Sequence, residues 1–138
     1  MEQGKKKYKE LMERHDNVKK IYDDLEKLEN KLPNIASIND EDTITKEMKQ
    51  EVNFIVFEFL DILLRSKKII STKDTEIKWM QLKYNFVSLW NKNKYGVIKL
   101  MSEFDTEILD YITDMYGIIA NEMEQLAVES KQLNEELN

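Results

Sequence analysis

Val52-Asn53-Phe54-Ile55-Val56-Phe57-Glu58-Phe59-Leu60-Asp61-Ile62-Leu63-Leu64 is the stretch whose reading settles the fold class. Drawn as a helix, it places Glu51, Glu58, Asp61 and Arg65 on one narrow line and leaves apolar side chains around nearly all of the remaining circumference. A helix of that kind needs neighbours on several sides. The rest of the chain reads as amphipathic helices able to supply them, and the expected architecture is an all-α, four-helix, mostly antiparallel bundle.

Composition points the same way. Three Gly and one Pro in 138 residues, with 35% charged and 41% hydrophobic side chains, favour long helices over a turn-rich sheet. A chain of this length is expected to form one helical-bundle domain over residues 1–138. The absence of cysteine excludes disulfides, thiolate nucleophiles and sulfur-based zinc sites. The basic start, Glu2 to Lys7, is followed by charged residues where a signal peptide would carry its apolar segment, so a cytoplasmic location is expected. The longest apolar run is broken by Glu58 and Asp61 and falls short of the roughly 20 residues that a membrane-spanning helix requires.

The formal net charge of −6 is distributed in blocks: residues 1–20 carry 7 basic and 4 acidic groups, 21–64 carry 4 and 11, 65–99 carry 9 and 2, and 100–138 carry 1 and 10. If the blocks are successive helices of an up-and-down bundle, sequential neighbours and the first and last pair all bring opposite signs together. Each exposed pair contributes little, but the alternation selects one arrangement over others.

Taken in order, a first helix is expected over about 5–32, with Tyr8, Leu11, His15, Val18, Tyr22, Leu25, Glu29 and Leu32 at coiled-coil-like 3-4 spacing, ending at Pro33. Ile35 and Ile38 in the connection could tuck under the bundle end, and Ser37, Asp40, Asp42 and Thr43 are competent caps for the second helix, expected over about 42–70. Ser71 and Asp74, with capping-box-like spacing, mark a break, although one continuous helix over 42–91 is the alternative. The third helix, about 72–91, bears Ile77, Met80, Tyr84, Val87 and Trp90 on one line with Trp79, Leu82, Phe86 and Leu89 beside it. Gly96 suits the turn that follows, and the fourth helix runs over about 97–137. At about 60 Å it outruns the third twofold. Its C-terminal half must lie beside the first half of the first helix, as a coiled-coil-like extension, or against another subunit.

No stretch carries a catalytic signature. His15 is the only histidine, so no His pair for a metal exists within one chain, and its seam position favours a packing or partly solvated role over pH sensing or catalysis. Glu103, Glu107, Asp110 and Asp114 form acidic rows that read as a solvated helix face rather than a cation site. No cofactor or metal is expected. The chain is expected to be a non-enzymatic protein-interaction module, an adaptor, assembly factor or small inhibitor, acting through its long helices on another protein or on a second copy. Its candidate partner-binding residues are Met123, Leu126, Leu133, Leu137, Tyr8 and Leu11, the seam positions that a compact bundle leaves uncovered.

Two alternatives stand beside this. Lys73, Lys78, Lys83, Lys92 and Lys94, interleaved with Trp79, Tyr84, Trp90 and Tyr95, form a candidate basic surface for single-stranded nucleic acid; the plainer account puts Trp79, Tyr84 and Trp90 in the core. Conversely, Glu122, Glu124, Glu129, Glu135 and Glu136 could mimic a nucleic acid and inhibit a protein that binds one.

Overall fold

The computed structural model describes residues 2–32 and 44–137. Within them lie α1 (Glu2–Asn30), α2 (Lys46–Ser66), α3 (Lys73–Lys94) and α4 (Met101–Leu137), with a short 3-10 turn, Lys67–Ile69, closing α2. They form a four-helix, largely antiparallel bundle in which the long first and last helices pack against each other, α2 lies on α1, and α3 lies on α4. Ile35, Ile38 and the expected caps Ser37, Asp40, Asp42 and Thr43 lie outside the described residues.

The break between the second and third helices is real, so the continuous helix is not formed. Its cap is Thr72 rather than Ser71: the Thr72 hydroxyl accepts the Thr75 N–H at 3.2 Å. Ser71 is recruited elsewhere, its N–H and O–H donating to the Glu122 carboxylate of α4 at 3.0 and 2.6 Å. At the start of α2 the cap is Thr45, which accepts the Met48 N–H at 3.2 Å. Gly96 turns the chain at φ 66°. Beyond it α4 starts at Met101, not Val97, because the Val97 N–H is drawn back to the Lys92 carbonyl and the Lys99 carbonyl accepts the Ile44 N–H.

One core joins all four helices. From the opening stretch, Val52, Ile55, Val56, Phe59, Ile62 and Leu63 point inward, but Phe54, Phe57 and Leu64 are about half exposed. The neighbours on several sides that this stretch needs are α1, α3 and α4, and only its outward line is left without one. A four-helix bundle gives each member two adjacent partners and one diagonal one, and the outward side is left over.

On α3 it is the second row, Trp79, Leu82, Phe86 and Leu89, that is buried, while Ile77, Met80, Tyr84 and Val87 face water. The single seam read on α1 divides as well. Val18, Leu25 and, from the wider stripe, Ile21 and Leu28 go into the core, whereas Tyr8 and Tyr22 are exposed.

Glu122 is fully buried and fixes the α2–α3 connection to α4. Replacing it with Ala is expected to cost about 1–3 kcal/mol, since the core loses a filled, hydrogen-bonded position. Glu122→Gln, which keeps an acceptor for Ser71, should lose less; urea unfolding of the two variants checks the order.

Candidate partner-binding surface

Past Glu122, α4 runs beside the first half of α1. Arg14 makes a two-pronged ion pair with Glu129, at 3.0 and 2.8 Å, and Lys7 lies 3.9 Å from Glu136. The Arg14 hydrogen bonds hold the Glu129 carboxyl below its ordinary pKa, outweighing the effect of burial. At Gly4 the helices come so close that a Cβ there would lie 2.6 Å from Leu137 Cδ2.

This pairing sorts the six expected partner residues into two groups. Leu126 and Leu133 are 5% and 4% exposed and Leu11 is half-buried, because α1 and α4 cover each other within the same chain. Tyr8, Met123 and Leu137 remain open at 57%, 39% and 53%. Met123 belongs to an outer surface between the two helices, and Tyr8 stands two heptads before Tyr22 on the same side of α1.

That surface is an apolar groove of about 570 Å³ between α1 and α4, lined by His15, Val18, Tyr22, Tyr116, Ala120 and Met123 among others. Helical periodicity explains it. Tyr8, Met12, His15, Lys19 and Tyr22 follow 4-3-4-3 spacing along the outer side of α1, and Tyr116, Ala120, Met123 and Ala127 do the same on α4. One end is closed by Tyr22 and Tyr116, whose rings meet at 5.7 Å. A hydrogen bond to Glu26 raises the Tyr22 hydroxyl pKa, while burial, with Glu29 nearby, pushes that of Tyr116 up to about 12. Both hydroxyls are therefore neutral across the physiological range. Tyr116, Ala120 and Met12 went unnoticed in the sequence; the signal was a second row on each helix, hidden beside the stronger core stripe.

The five lysines of the candidate basic surface do not share a face. Lys73, Lys78 and Lys83 are five residues apart, which turns each by about 140° from the last. Lys92 is engaged by Glu107 at 2.6 Å, a bond that raises its pKa, and Lys78 lines a polar groove between α3 and α4. Lys83 sits over the Trp79 ring and Lys94 over that of Tyr95. Trp79 is buried, its indole N–H shared between the Leu63 carbonyl and the Ser66 hydroxyl at 2.9 Å each. Trp90 is half-buried and Tyr84 is 81% exposed, so the core account fails for Tyr84 alone. Among the acidic-mimic residues, Glu122 is buried and Glu129 is bound by Arg14, leaving Glu124, Glu135 and Glu136 on the surface.

His15 is exposed, with Nδ1 3.7 Å from Asp16. Among the described residues no three His, Asp or Glu side chains gather as a metal-ligand set, and no helix is long and apolar enough to cross a membrane. In comparisons of sequence and fold, no family model, curated protein or solved structure matches the chain.

Proposed function

We propose that the chain is a non-enzymatic protein-interaction module, and that the outer α1/α4 face associates with the same face of a second copy. The observation that carries this reading is an apolar groove with exposed Tyr22 on its α1 side and Met123 with Ala120 on its α4 side, beyond which the outer row of α1 continues through exposed Met12 and Tyr8. A surface used on both partners must be self-complementary about a twofold axis. Crossing α1 of one copy over α4 of the other meets that condition in charge as well as shape: residues 1–20 are net basic, 7 against 4, and 100–138 are strongly acidic, 10 against 1. Ala120 and Ala127 leave room for a neighbouring helix to approach. Adaptor, assembly and inhibitory roles are all forms of such a module.

Light scattering on the full chain should give a dimer at micromolar concentration. Met123→Lys and Tyr22→Lys, both at exposed positions, should return it to a monomer with unchanged helicity. A wild-type monomer at high micromolar concentration would end this reading.

A further inference from the structure

A second apolar surface lies on the α2/α3 side of the bundle. Ile77, Met80, Tyr84 and Val87 stand at 3-4-3 spacing on the outward line of α3, all 47% exposed or more. The surface continues onto α2 through Phe57, 59% exposed, whose ring meets Trp90 edge-on at 5.0 Å. It is narrow and directional, a row of knobs about one helix wide, the shape that an amphipathic helix fills with its i, i+3, i+4 and i+7 residues.

Three lysines stand beside it. Lys67, from the 3-10 turn, and Lys83, from α3, both hold their Nζ atoms over the Trp79 ring, at 5.8 and 5.3 Å. Lys73 stands one turn before Ile77 on the same line. Among the described residues none of these three has a carboxylate within 4 Å, whereas Arg14, Lys31, Arg65 and Lys92, at the contacts between helices, are all paired. Lys67, Lys83 and Lys73 thus stand open beside this row.

We propose that the α2/α3 face docks an amphipathic helix of another protein that carries acidic residues on its flank. Its apolar residues cover the row from Ile77 to Val87, and its carboxylates reach Lys67, Lys83 and Lys73. A basic helix is repelled at the same cations. An anionic bilayer fits less well, because the row offers no broad plane to insert and the chain's net charge of −6 opposes approach. This face is separate from the α1/α4 groove, so the two readings fail independently.

The chain's two tryptophans, Trp79 and Trp90, both report on this surface. The test titrates the full chain with a synthetic amphipathic helix bearing leucines at 3-4 spacing and glutamates on its flanks. The same peptide with lysines on its flanks, and vesicles of phosphatidylcholine mixed with phosphatidylserine, serve as comparisons. Saturable emission changes are expected with the acidic peptide, at an affinity at least about tenfold above that of the basic one and falling with salt. Lys83→Glu and Tyr84→Ser, at exposed positions, should each weaken binding by roughly tenfold without loss of helicity. Equal affinity for the two peptides, binding of neither, or a response to vesicles matching that to the peptide would overturn the proposal.

Discussion

Phe59→Ala is expected to destabilise the bundle by about 3–5 kcal/mol, the largest effect of any single truncation considered for this chain. Phe59 is fully buried, with its ring 4.8 Å from Phe86 of α3 and 6.4 Å from Tyr111 of α4. Phe86 and Tyr111 meet edge-on at 5.7 Å, and the Tyr111 hydroxyl donates to the Asn85 carbonyl at 3.0 Å. That hydrogen bond pins one wall of the space Phe59 would vacate, so the wall cannot close over it, and unrelaxed cavities are the costly ones. Phe54→Ala, five residues earlier in the same stretch, is the matched control. Its ring is half exposed with Lys31 over it at 4.8 Å, and the loss should stay within about 1 kcal/mol. Urea unfolding of the two variants measures both; a Phe59→Ala loss under about 1.5 kcal/mol would show that the cluster repacks.

The second large effect belongs to Asp105. This carboxyl is 2% exposed, neither oxygen has a hydrogen-bond partner among the described residues, and burial pushes its pKa up to about 6. In the unfolded chain the same group titrates near 3.9, so between roughly pH 4 and 6 the folded state holds a proton that the unfolded state has released. Stability therefore falls as pH rises through that window. Above it the full penalty is in place, on the order of 2–3 kcal/mol. Glu129 works in the opposite sense: its pKa is lowered, so its stabilisation is present at neutral pH and is lost on acidification. The diagnostic quantity is thus the difference in unfolding free energy between Asp105→Asn and wild type. It should grow in the variant's favour from pH 4 to pH 7 by about 2–3 kcal/mol, and a flat difference would contradict the assignment.

Asp105 was legible in the sequence and missed there: it lies four residues after Met101, three before Ile108 and seven before Ile112, inside the apolar stripe of α4, whereas Glu103 and Asp110 fall on the opposite, exposed side. Periodicity made the four helices legible, and their approximate spans, because apolar spacing is a local property of each segment. It could not say which side of a broadly apolar helix faces inward, so Val52 and Phe57, or Phe86 and Tyr84, looked alike. Caps were ambiguous for a similar reason. Ser71, Thr72 and Asp74 all carry suitable oxygens, and the choice of Thr72 goes with a carboxylate 51 residues away holding Ser71. The surplus length of α4 was visible as a need for cover, but α1 and a second subunit answer that need equally well on paper. The fold assigns Leu126 and Leu133 to the first and leaves Met123 and Tyr8 open to the second.

The contact between α1 and α4 has a kinetic corollary. The helix that α1 leans on most is separated from it by the whole of α2 and α3, so the part of its apolar side that faces α4 stays uncovered until ribosomal synthesis has passed through α4. Pairing such distant segments requires closing a long loop before any burial repays it, which makes this bundle slower to form than one held by neighbouring hairpins. A nascent chain halted after α3 would expose Val18, which sits beside α4, to any chaperone that recognises apolar helices.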